Sequence, residues 1–259
     1  MNKRPVMRLN CDLGEGEGKG EGKGESRAGH SGGSDQAVMP HIHQANIACG
    51  FHAGDPVVMR NTVALAKTHG VAIGAHPSYN DPEHFGRRSM DLTAPQITAL
   101  LHEQIAALER IATGEGMALQ HVKPHGALYN DMMTKPQTRK AIMDAMASYR
   151  RPLPLVLLAT ADAQQHRMEA QQAGIELLFE AFADRAYTDQ GRLLSRSEPG
   201  AVLDLEAMLA QVEQLCAQGS VTTHTGNTLA IAADTLCVHG DNPQGVAAIS
   251  AIRALVDNR

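Results

Sequence analysis

The chain has 259 residues and a formal net charge of −5; 43% of it is hydrophobic, 3% is aromatic, and Trp is absent. That length fits one α/β barrel or one large doubly wound domain, since such folds reach roughly 250 residues without dividing. Interspersed acids and bases without a basic stripe leave no electrostatic footprint for nucleic acid or an anionic membrane, so small-molecule chemistry is expected.

The pattern of short apolar runs begins at Val6–Cys11, a first predicted strand, and continues at Ala45–Cys49. Asp55 and Pro56 then read as the cap and first turn of a helix that runs to His69 and closes at Gly70. Val71–Ala75 is a third strand, and Thr93 with Pro95 opens a long helix ending near Thr113. Ala118–Val122, Leu153–Ala159, Ile175–Phe179 and Thr235–Val238 supply four more strands, with helices expected over 134–148, 161–173, 204–218 and 243–257. Seven strands alternating with helices imply a parallel sheet, because parallel neighbours need a crossover and a helix is its usual form. An open sheet would concentrate its polar loops at one switch point; here polar clusters follow nearly every strand, which favours a closed barrel with a ring of loops at its mouth.

From Gly14 to Gly24 every second residue is Gly, with Glu and Lys between. Neither a P-loop pattern nor a strand-to-helix turn surrounds this stretch, so a solvated loop over 14–33, able to act as a lid, is the expectation. No linker or repeat of fixed period divides the chain, and one domain over 1–259 is expected. The N-terminus carries no leader pattern and no apolar run reaches about 18 residues, which points to a soluble, cytoplasmic protein. Cys11, Cys49, Cys216 and Cys237 lack C-x-x-C spacing and sit among apolar residues, the pattern of buried thiols.

The strand ends carry the chemistry. LNCDLGEG at 9–16 places Asn10 and Asp12 on one side of an extended chain, with Glu15 three residues on. Paired carboxylates there can divide acid and base work or offer oxygens to a metal; a turn-capping Asp is the simpler alternative. NIACGFHAGD at 46–55 supplies Asn46 and His52, with Asp55 able either to cap the next helix or to orient the imidazole. GAHPS supplies His76, pushed into extended geometry by Pro77. Lys123 and His125 in KPHG project to the same side, an ammonium and an imidazole suited to an anionic group or a developing oxyanion. His239 and Asp241 in CVHGD repeat the i, i+2 spacing, and Arg87, Arg88 and Arg185 are planar donors suited to a carboxylate or to surface ion pairs. If the loops gather at one mouth, His52, His76, His125 and His239 converge. A G-x-S-x-G elbow and an H-E-x-x-H helix are both missing.

Taken in order, LNCDLGEG, ANIACGFHAGDP (45–56), GAHPS, FGRR, HVKPHGALYN (121–130), EAFADRAY (180–187) and CVHGDNP (237–243) resemble the LamB/YcsF family over nearly the whole chain. The glycine repeat after Glu15 departs from that likeness and puts any substrate contact there in doubt. The resemblance implies a seven-stranded parallel β/α barrel similar to the polysaccharide deacetylases. It also implies the role of the A component of an ATP-dependent 5-oxoprolinase, working with subunits B and C to convert 5-oxo-L-proline to L-glutamate, with ATP and its Mg as cofactors. Assigned by position and chemistry, Asp12, Glu15, His52, His76, Lys123 and His125 are the expected catalytic set, and Asn10, Asn46, Arg87, Arg185, His239 and Asp241 the expected substrate contacts. Two other readings stay open: a metal-dependent hydrolase with Asp12, His52 and His76 as ligands, and a non-catalytic component that delivers substrate.

Overall fold

A computed structural model of the chain describes residues 7–16, 33–240 and 242–258. Most of the glycine-rich loop expected over 14–33, and Asp241, lie outside the described residues. The strands are β1 Arg8–Leu13, β2 Gln44–Ala48, β3 Ala72–His76, β4 Leu119–Val122, β5 Leu155–Leu158, β6 Leu177–Phe182, β7 Ser220–Thr222, β8 Thr228–Ala230 and β9 Thr235–His239. Strands β1 to β6 and β9 close into a barrel in the order β1-β2-β3-β4-β5-β6-β9, and every neighbouring pair is parallel. This is the seven-stranded barrel expected from the strand count. The remaining two strands form a small antiparallel hairpin.

Helices α1 Gly33–Val38, α2 Pro56–His69, α3 Ala94–Gly114, α4 Gly126–Thr134, α5 Pro136–Ser148, α6 Ala163–Ala173, α7 Leu205–Gln218 and α8 Pro243–Asp257 provide the connections. Asp55 takes the simpler of its two roles and caps α2: its Oδ1 accepts from the backbone N–H groups of Val57 at 2.7 Å and Val58 at 2.9 Å. Gly70 ends the helix at φ 66°, where a side chain would be strained. The helix expected over 134–148 is α5, and α4 is a further helix before it that was not expected; Pro136 separates the two by holding Lys135 in extended geometry at φ −115°, ψ 102°. Helix α4 begins at Gly126, the last residue of KPHG, with His125 as its cap position. Among the described residues no helix is long and apolar enough to cross a membrane.

Strand alternation divides the side chains. Leu9, Cys11 and Leu13 of β1 join the hydrophobic core, as do Ala45 and Ile47 of β2, while Asn10, Asp12 and Asn46 point into the barrel and meet one another. The interior is therefore lined with polar groups, and a polar interior persists only if its members satisfy one another. Cys11, Cys49 and Cys237 are buried, Cys216 is half-buried, and none forms a disulfide.

Candidate active site

Lys123, just beyond β4, reaches across the barrel and is 2% exposed. Its Nζ lies 2.9 and 3.2 Å from the two Asp12 carboxylate oxygens and 3.0 Å from Glu180 Oε1 on β6. Burial disfavours each of these charges, and the outcome is decided by what surrounds it. For Lys123, Asp12 and Glu180 outweigh burial and hold the ammonium well above its usual value. Burial also opposes ionisation of Asp12, but His76 and Lys123 overcome it and keep that carboxyl well below the usual range. At Glu180 burial wins over Lys123, and the carboxyl is raised.

Beneath this triad, the Asn46 amide donates to Asn10 Oδ1 at 2.8 Å and Asp12 Oδ1 at 2.7 Å, and Asn46 Oδ1 accepts from His121 Nε2 at 2.6 Å. Asn10 in turn donates to Glu180 at 3.0 Å and to the Thr235 hydroxyl at 2.7 Å. Asn10 and Asn46 thus sit below the cavity and spend their amides on protein partners; they position Asp12 and Glu180. His121 fits because β3 carries Gly74 opposite it: a Cβ at residue 74 would lie 2.2 Å from His121 Nε2.

Above the triad, three imidazoles gather at the strand ends. The His52 and His125 rings stack with centroids 3.8 Å apart and 5° between planes, and His76 meets both edge-on. Their partners fix the tautomers. His76 Nδ1 donates to the Lys123 carbonyl at 2.7 Å, and His125 Nε2 donates to the Phe85 carbonyl at 2.9 Å. The Ser78 hydroxyl donates to the Tyr79 carbonyl and so accepts from His52 Nδ1 at 2.9 Å. Burial, then His125 and His76, lower His52 well below its usual value; burial and then His76 push His125 down to about 3. Glu15 Oε1 lies 3.7 Å from His52 Nε2 and 3.8 Å from His125 Nδ1.

These groups border a cavity of about 450 Å³ at the C-terminal end of the strands, whose lining includes Asp12, Glu15, His76, Lys123, Arg87 and His239. The placement follows the general rule that parallel barrels expose their chemistry at that end. His52 is buried behind His76 and His125, at 3% exposure. Arg87 sits over the Phe85 ring, 5.0 Å from its centroid. Arg185 lines the cavity but donates to the Ala201 and Leu194 carbonyls, which straps the segment after β6. The exposed Arg88 pairs with the buried Asp81 at 3.2 Å and stands outside the cavity lining. His239 is held by an acid, as its spacing from Asp241 suggested, but the acid seen among the described residues is Asp184, 2.9 Å from Nδ1.

Sequence reasoning passed over Glu180, His121 and Asp184. Each carried a signal: Glu180 and Asp184 share strand parity with Phe182 in EAFAD, and His121 shares it with Lys123 and His125 in HVKPH.

The geometry agrees with what the chain is similar to. A model of the LamB/YcsF family matches residues 7–259. A protein of Chromohalobacter salexigens named as the A component of 5-oxoprolinase is 48% identical over 98% of this chain and 98% of its own. One of the same name from Vibrio cholerae is 47% identical over 99% of this chain and 100% of its own. The crystal structure of the lactam utilization protein from Thermus thermophilus superposes with a TM-score of 0.82 at 37% identity, covering 97% of this chain and 96% of that one. On its sequence and its barrel alike, the chain belongs to the LamB/YcsF family.

Proposed function

We propose that this chain is the A component of an ATP-dependent 5-oxoprolinase, opening the lactam of 5-oxo-L-proline to L-glutamate together with subunits B and C. The observation that carries this reading is the near full-length likeness to relatives named as that component. The barrel mouth supplies groups suited to the chemistry.

A lactam is resonance-stabilised, and its oxygen is a poor leaving group until it is esterified. In the proposed sequence the lactam oxygen attacks the γ-phosphoryl group of ATP, releasing ADP and giving an imidate phosphate. Water adds to the ring carbon and loses a proton to a carboxylate; the ring C–N bond then breaks as the nitrogen gains a proton, leaving an acyl phosphate. A second water releases phosphate and the new carboxylate of glutamate. Asp12 is ionised, borders the cavity and is held by Lys123 and Asn46, so it is the assigned base, with Glu15 beside the imidazoles as the second carboxylate. Lys123 offsets negative charge as it develops on the oxygen, in a site where little water competes. Arg87 is the assigned partner of the substrate carboxylate.

The deciding experiment is glutamate formation from 5-oxo-L-proline by this chain mixed with the B and C components, omitting each protein and ATP in turn. Glutamate only in the complete mixture supports the assignment. Equal glutamate without this chain ends the catalytic reading and leaves a role outside the reaction.

A further inference from the structure

The outward nitrogens of all three mouth imidazoles are occupied as donors, so in the neutral rings the nitrogens facing inward carry the lone pairs. His125 Nδ1 and His76 Nε2 face each other at 3.0 Å, and His76 Nε2 also lies 3.4 Å from Asp12 Oδ2. His52 Nε2 is a third buried lone pair, on a side chain 3% exposed, and has no hydrogen-bond partner among the described residues. Glu15 contributes a carboxylate oxygen on the cavity side, and the four ligand atoms lie within 4.8 Å of one another.

We propose that Glu15, His52, His76 and His125 form a mononuclear site for a divalent transition ion of the zinc type. A cation among the three lone pairs turns a repulsive contact into coordination and satisfies His52 Nε2 in the same step. The chemistry matches: imidazole nitrogens with one carboxylate oxygen suit zinc and its neighbours rather than Mg or Ca, which prefer oxygen. So does the spacing. Bonds of about 2.0–2.1 Å in a tetrahedron put ligand atoms roughly 3.3 Å apart; the separations of 3.0, 3.7 and 3.8 Å lie near that value, and the stacked His52 and His125 rings must tilt out of parallel for both lone pairs to meet one ion. The outer bonds to Ser78, to the Lys123 carbonyl and to the Phe85 carbonyl are those that orient metal-binding imidazoles. Asp12 Oδ2 lies 3.4 Å from His76 Nε2, but both Asp12 oxygens are already bonded to Lys123 and one to Asn46, so Glu15 and His125 join His52 and His76 in place of the Asp12 ligand considered from sequence alone.

The site stands on donor geometry and goes beyond the lactam reading, so its test is binding by the full chain, with no turnover involved. After treatment with a chelator and its removal, the chain is titrated with Zn²⁺ against a chromophoric competitor, and separately with Co²⁺ while the visible absorption is followed. The expected result is one equivalent of either ion, with the intense visible bands of tetrahedral Co²⁺. Glu15→Gln, His52→Ala and His125→Ala should each weaken binding by more than the roughly 10- to 100-fold that loss of an outer-shell partner costs. His69→Ala, on the exposed end of α2, should bind as the parent does. Glu15 is only partly buried, so Glu15→Gln is the variant that decides if a histidine variant fails to fold. Absence of stoichiometric binding by the folded parent chain, or undiminished binding by folded Glu15→Gln, overturns the proposal. The His76–His125 contact is then resolved by a shared proton.

Discussion

The floor of the barrel and its rim are built from the same kinds of residue and solve opposite problems. On the floor, Asn10, Asn46, Asp12, Lys123, Glu180 and Thr235 bond mainly to one another. On the rim, His52, His76 and His125 give their outer N–H groups to the protein and turn their second nitrogens inward. The contrast shows what buried polar groups are for: where the protein supplies the partners they hold geometry, and where it withholds them they await something else.

The strongest way to break the comparison is to remove the floor's cation. Lys123→Met leaves Asp12 and Glu180 buried without their shared partner, and losing one member of a buried pair costs about 3–5 kcal/mol. Urea unfolding should show that loss, and glutamate formation by the reconstituted complex should fall by about 100-fold or more. Stability and turnover both near those of the parent would mean the floor is not held by charge pairing.

Acid tests both regions at once. Burial, then Lys123, pushes the floor's His121 down to about 3, matching His125 on the rim. Both histidines have a reference value of 6.5, so between 6.5 and about 3 the unfolded chain binds more protons than the folded one. The stability they contribute is complete above 6.5 and is lost as pH falls through that window. By about pH 5 the loss is on the order of 2 kcal/mol for each histidine. Thermal unfolding from about pH 7.5 to pH 5 should follow this, and a flat profile would place both histidines in contact with water.

Gly74→Ala strikes the floor alone. Its new methyl group overlaps the His121 ring, and overpacking of this kind costs roughly 1–3 kcal/mol. Adding His121→Ala should recover part of the loss, a coupling that a double-mutant cycle measures and that independent sites would not show. The smallest effect belongs outside both regions: Asp55→Ala removes the α2 cap for about 1 kcal/mol, with glutamate formation unchanged. A drop in turnover there would extend the rim to α2.

Much of the barrel was legible because each strand announces its end. Polar, glycine-rich clusters such as NIACGFHAGD and HVKPHG mark the places where the chain leaves the sheet, and helix signals such as Asp55-Pro56 restart it. What escaped depends on partners remote in sequence. Glu180 is an ordinary acid in an apolar run until Lys123, 57 positions away, reaches it from β4. The tie of Asp12 to Lys123 was hidden for the same reason: it is made across the barrel and leaves no local mark. Helix α4 was passed over because it begins inside the HVKPHGALYN cluster, which reads as a strand-end loop, and the β7–β8 hairpin lay in the short runs around Thr225-Gly226-Asn227.

Lys123 also has a mechanical meaning. One ammonium group ties the stave that follows β4 to β1 and to β6, so the charge assigned to the proposed chemistry is also a hoop on the barrel. Any anion that draws Lys123 toward the cavity slackens that hoop, and the vessel should loosen as it fills. Faster amide hydrogen exchange in β4 and β6 on addition of an anionic ligand would be the sign of a container whose tightness reports what it holds.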